Sequence, residues 1–79
     1  MNRNETALHQ ARMILFGREK LLIEQHHGLY SYETHCVRVR IGAGLTKITG
    51  EGLVITFFGT EDMQIEGRIS EITLTEEQP

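Results

Sequence analysis

The residues best suited to chemistry in this chain fall in two short stretches, His26-His27 and His35-Cys36. Imidazole nitrogens and a thiolate sulfur together form a donor set that suits zinc. Neighbouring residues on a strand point to opposite faces, so each pair can offer only one ligand to a shared site. That falls short of the four ligands of a closed zinc site, unless His9 or a second subunit contributes. The same stretch could present a cysteine nucleophile beside a base. Such an enzyme also needs oxyanion donors and a cleft, and no motif for these occurs. Neither a G-x-S-x-G elbow nor a P-loop is present, and Gly42-Ala43-Gly44 opens no helical pattern. The expectation is no catalytic group, no metal and no cofactor. His26-His27 and Cys36 then read as a polar turn and a small buried or half-buried thiol.

A second constellation joins Arg38, Arg40 and Lys47 to Tyr30 and Tyr32, the basic and aromatic face of an OB-like binder of nucleic acid. Eight Lys and Arg against 11 Asp and Glu give a net charge of −3, a poor match for a polyanion. Nucleic acid is therefore not the expected partner, although an OB-like nucleic-acid module stays as the alternative reading. The plainer one places Arg38 and Arg40 on a solvated sheet face, paired with Glu24 or Glu66 across strands. Charge is uneven: residues 1–40 carry six basic and four acidic side chains, residues 41–79 two and seven. A split of +2 against −5 could orient self-association or docking. Phe57-Phe58 sends adjacent rings to opposite faces of one strand. The favoured reading packs one of them as core against a covering element such as the N-terminal segment; its exposure to a partner is the other.

These residues sit on a short chain. Seventy-nine residues make one domain, and only about 60–65% of the unfolded surface can be buried at this size. With 6% aromatic residues and no Trp, the core must be thin. An adaptor, assembly subunit or small binding domain fits better than an enzyme with an enclosed site. A single cysteine allows no internal disulfide, which points to a reducing cytosol. The longest apolar run, Met13–Phe16, is far below the roughly 20 residues of a membrane span. No secretion signal is visible, and direct membrane insertion is not expected.

Fifteen of the 39 residues from Val37 to Thr75 are Val, Ile or Thr, and glycines punctuate them. The expected fold is mostly β, a small antiparallel sandwich or barrel-like meander of six to seven short strands. Residues 1–12 read as a tail or short helix, with Asn2 and Glu5 at capping-box spacing. Residues 13–75 form the β domain and residues 76–79 an acidic tail. The segments with strand character are Met13–Phe16 (a strand by preference, or the end of the N-terminal helix), Lys20–Gln25, Leu29–Tyr32, His35–Ile41, Leu45–Thr49, Leu53–Phe58, Met63–Glu66 and Arg68–Leu74. Leu21 and Ile23 share one face, as do Val37, Val39 and Ile41. Gly50-Glu51-Gly52 reads as a tight hairpin. Met63, Ile65 and Ile69 are in step, whereas Ile72 and Leu74 are not, so a bulge or bend is predicted between Gly67 and Glu71. Open strand edges favour pairing with a second copy.

The order of three short patterns resembles the YabP/YqfC family of small sporulation proteins of endospore-forming Firmicutes. They are Ile14-Leu-Phe-Gly17 with Leu22-Ile-Glu-Gln-His-His-Gly-Leu29; Gly44-Leu-Thr-Lys-Ile-Thr-Gly50 with Leu53-Val-Ile55; and Ile65-Glu-Gly-Arg-Ile69 with Ile72. The first is closest to the YqfC branch, with Gln25 where that branch usually has Asn. The resemblance covers residues 14–74 and leaves the N-terminal segment unsupported. It implies a small β-sandwich-like domain with no enzymatic activity, acting in the mother cell and peripheral at the forespore outer membrane. It implies work beside an integral membrane sporulation protein, in cortex or coat formation. No catalytic residue carries over. The expected partner-binding positions are Glu24, His26, Gly28, Arg38, Arg40 and Phe58. Glu24 and His26 are expected on one strand face, where the Glu24–Gly28 motif either fixes the second hairpin or faces a partner. Gln25 and the basic Arg38-Val39-Arg40 depart from the family pattern.

Overall fold

A computed structural model describes residues 11–42 and 44–76. Six antiparallel strands make up one open sheet: β1 (Arg12–Phe16), β2 (Lys20–Glu24), β3 (Leu29–Glu33), β4 (Cys36–Ile41), β5 (Gly44–Phe58) and β6 (Asp62–Glu76). The order across the sheet is β1-β2-β6-β5-β4-β3. The all-β expectation is met, and no helix occurs among the described residues. The expected helix falls largely on residues 1–10, outside them, but its last residue, Arg12, belongs to β1.

Two 15-residue strands, β5 and β6, form the spine. The first half of β5 pairs with β4 and the first half of β6 with β2, so the sheet has two halves joined through the β5–β6 ladder. Buried side chains from both halves make one cluster: Leu21, Ile23, Met63 and Ile65 from one side, Val37, Val39 and Ile48 from the other, with Leu53 and Ile69 near the bend. Leu21, Ile23, Val37, Val39 and Ile69 therefore point inward as their alternation predicts. The single sheet folds over its own core, which gives a sandwich-like arrangement without two separate sheets.

Gly50-Glu51-Gly52 is not a hairpin. The chain runs straight through it, and the two expected strands are one, as are those on either side of Gly67. What bends the ladder is a set of register shifts. Between Thr49 and Gly50 the partner residue steps from Glu71 to Ile69, leaving Ser70 as an extra residue on β6. That is the bulge predicted between Gly67 and Glu71. Two more shifts, Glu51 to Val54 and Ile55 to Phe57, insert residues on β5. Bulges add twist and curvature, which is how one long ladder wraps a core. Glycine is required where the backbones meet: a Cβ on Gly50 would stand 1.9 Å from the Arg68 carbonyl oxygen. A Cβ on Gly67, at φ +136°, would stand 2.5 Å from the Gly52 carbonyl oxygen. The β1–β2 turn docks on the same bend, with Gly67 and Ile69 N–H donating to the Glu19 and Arg18 carbonyls at 3.1 and 2.8 Å.

The bulge near Thr56 also decides the fate of the two phenylalanines. Phe57 lies opposite Gln64 on the outer face, and Phe58 lies opposite Met63 at the open end of the core side. Each is 53% exposed, so neither is core.

Candidate partner-binding surface

Four of the six positions expected to bind a partner meet at one corner of the molecule. Strand β2 ends at Glu24, and Gln25 takes φ +64°, a left-handed conformation that a long side chain rarely adopts. The turn breaks the alternation, so Glu24 and His26 do not share a strand face. Glu24 lies on the outer face and pairs with Arg12 at 3.2 Å. His26 turns inward and is 6% exposed. Its Nδ1 accepts the Gly28 N–H at 2.9 Å and its Nε2 lies 2.9 Å from the Gly59 carbonyl oxygen. Those partners require the tautomer with the proton on Nε2. The His26 ring stacks on Phe58, with centroids 5.1 Å apart and planes 22° from parallel. The His26 N–H donates to the Glu61 carbonyl at 3.0 Å. One buried imidazole thus fastens the β2–β3 connection to the β5–β6 turn.

The corner also reaches β4. The His27 N–H donates to the Arg40 carbonyl at 2.7 Å, and the Arg40 N–H donates to the Gly28 carbonyl at 2.8 Å. The Arg40 guanidinium lies over the Tyr30 ring, 5.0 Å from its centroid. Arg38 is not part of this corner. It points outward from β4, donates to the Ser31 hydroxyl at 3.2 Å and sits directly opposite Lys47 on β5. Arg38 thus bonds a serine, and Glu24 and Glu66 engage Arg12 and the Thr56 hydroxyl.

His26 has both ring nitrogens committed to the backbone, and among the described residues no three His, Cys, Asp or Glu side chains gather as metal ligands. Cys36 is a buried free thiol.

A further surface went unread in the sequence. On the outer face of the β1-β2-β6-β5 half, Ile14, Leu22, Gln64 and Phe57 form one cross-strand row, and Phe16, Lys20, Glu66 and Val54 the next. Phe16, Val54 and Phe57 are about half exposed there. The signal was hidden because the Thr56 bulge, which places Phe57 on this face, has no sequence mark of its own. Nearby, Arg18, Glu19, Glu66, Gly67 and Arg68 line an open cavity of about 440 Å³ where the β1–β2 turn meets the bend.

Comparison with protein-family models matches residues 7–79 to the YabP family. The chain belongs to the YabP family. The match includes the β sheet and extends into residues 7–13, which the sequence resemblance had left unsupported. No curated protein and no solved structure matches it. Membership of the YabP family agrees with a sporulation-associated role, and that family is not known for an enzymatic activity.

Proposed function

We propose that this YabP-family protein is a non-catalytic adaptor or assembly subunit of spore formation. It works in the mother cell, peripheral at the forespore outer membrane, and docks on an integral membrane sporulation protein during cortex or coat formation. The observation that carries this reading is the family match over residues 7–79. The segment Leu22–Leu29 supports assignment to the YqfC branch within it. The site geometry supports a binding role of a particular kind. The Glu24–Gly28 segment builds a hydrogen-bonded corner, and that corner holds the half-exposed Phe58 and Tyr30, with Arg40 over the Tyr30 ring, in place as contact groups. Fixed aromatic anchors lose little conformational entropy on docking, which is what makes them effective contacts.

A fluorescent fusion in sporulating cells tests the reading. Signal that appears only after asymmetric division and rings the forespore is expected, and a deletion strain lacking a redundant paralogue should give spores with reduced heat resistance. Diffuse or nucleoid-associated signal in growing cells would discard the reading. It would favour the nucleic-acid alternative, for which the opposed Arg38 and Lys47 and the Tyr30–Arg40 pair are the structural argument.

A further inference from the structure

The sheet ends in two edge strands, and the fold treats them differently. Strand β3 is guarded. Its register steps from Leu29 to Ser31 against the consecutive residues Val39 and Arg38, so Tyr30 forms a bulge. Its last residue, Glu33, carries a charge beside His35 at 3.3 Å. Bulges and charges are the usual means by which an edge refuses another strand. Strand β1 has no such guard along its length. It keeps an unbroken five-residue register with β2, contains no Pro, and carries its one charge, Arg12, at its end and paired with Glu24. Leu15 and Phe16 point to opposite faces and are 48% and 49% exposed. Among the described residues no strand pairs with its outer side.

We propose that β1 is a dimerisation edge, pairing antiparallel with β1 of a second copy about a two-fold axis at Ile14. The strand is complementary to itself in this register. Met13 falls opposite Leu15 of the second copy on the core-facing side. Ile14 meets its own counterpart on the outer side. Arg12 falls opposite Phe16 of the second copy, a ring that already holds the Lys20 ammonium 5.3 Å from its centroid. No like charges stand directly opposite across the new seam, because the outer row runs Asp62, Glu24, Arg12 and then Phe16, Lys20, Glu66 of the second copy. Pairing β1 with β3 of another copy would have to cross the Tyr30 bulge and would leave edges free at both ends. The two-fold arrangement closes and satisfies both β1 edges at once. It also sets the two Ile14–Leu22–Gln64–Phe57 rows end to end, so that Ile14 and Leu22 of both copies form one apolar strip at the seam. This inference is independent of the sporulation reading, since it rests on the edges alone.

The test uses the full chain. Sedimentation velocity from about 1 µM to about 1 mM should show a reversible monomer–dimer equilibrium with no larger species. Leu15→Lys places a charge on the edge at an exposed position. It should keep the circular dichroism spectrum and weaken the dimer about tenfold or more. Directly opposite residues in an antiparallel pair lie within disulfide reach. Ile14→Cys in a Cys36→Ser background should therefore oxidise to a covalent dimer, whereas Lys47→Cys in the same background should not. A monomer across the whole range overturns the proposal. So does a polymer, or a dimer that Leu15→Lys leaves unchanged and Ile14→Cys fails to cross-link.

Discussion

Replacing His26 by Ala removes a buried side chain that joins the β2–β3 connection to the β5–β6 turn. Three interactions go with it. The hydrogen bonds to the Gly28 N–H and the Gly59 carbonyl, both 2.9 Å, are worth about 1 kcal/mol net each. The ring stack on Phe58 adds about 0.5–1.5 kcal/mol. Water can reach a corner this close to the surface, so the abandoned backbone groups need not stay unsatisfied. The expected loss is therefore near the simple sum, about 3 kcal/mol. A chain of 79 residues has a total stability on the order of 4–12 kcal/mol, so the change is a large share of it. In urea unfolding followed by circular dichroism, with a slope of about 1–2 kcal/mol/M, the midpoint should fall by roughly 2 M. Phe58→Leu, which removes only the stack, should cost about 1 kcal/mol, and the double-mutant cycle with His26→Ala should return about 0.5–1.5 kcal/mol of coupling. A loss below about 1 kcal/mol for His26→Ala, or zero coupling, would refute the claim that this ring holds the corner.

Further outcomes follow from the same geometry. Gln25→Gly should stabilise the fold by about 1 kcal/mol, because φ +64° strains any residue with a Cβ, and Gln25→Asn should recover part of that; thermal unfolding reads it as a rise of about 4–8 °C. Gly50→Ala should leave the chain unfolded or molten at 25 °C, since its Cβ would overlap the Arg68 carbonyl; a cooperative unfolding transition within about 1 kcal/mol of the parent would count against the close approach. Tyr32→Phe removes a bond from the phenol to the Leu53 carbonyl and should cost about 1 kcal/mol in denaturant, with the sheet unchanged by circular dichroism.

The strands were legible where the physical signal is local. Val37, Val39, Leu21 and Ile23 alternate cleanly and are buried, and the missed step between Ile69 and Ile72 announced the Ser70 bulge. Gly50 and Gly52 were misread because a glycine states only that the backbone needs freedom. It does not say whether the chain reverses or merely bends against a neighbour. That distinction depends on Arg68 and Gly67, 15 or more residues away, and no local window contains them. The site was half legible. His26, Gly28 and Phe58 do come together, but Gln25 breaks the strand between Glu24 and His26, and parity cannot register a single left-handed residue. Asn tolerates that conformation better than most side chains, so Gln25 is an unexpected residue at the turn on which the corner depends.

A domain built this way spends its inward-facing residues on closing a thin core, and its interaction chemistry is left to faces and edges. The two outer faces are unlike each other. One presents Ile14, Phe16, Leu22, Val54 and Phe57 with Lys20, Gln64 and Glu66 among them, and the other Arg38, Lys47, Ser31 and Thr73 around Arg40. Arg38 and Lys47 stand opposite one another, where like charges cost stability, in a chain whose net charge is −3. The apolar face lies beside β1 and the basic face lies beside β3. If β1 pairs with a second copy, the apolar faces meet at the seam while the two basic faces remain at the far ends. A partner that reads the apolar strip at the seam would then meet the dimer at its centre, and one that reads the basic surface would meet it twice. Binding stoichiometry against a single partner therefore tests for docking on the axis. One partner per dimer assigns docking to the seam around Ile14, because any site off the two-fold axis, in the Phe57 rows or on the Arg38 face, is presented twice.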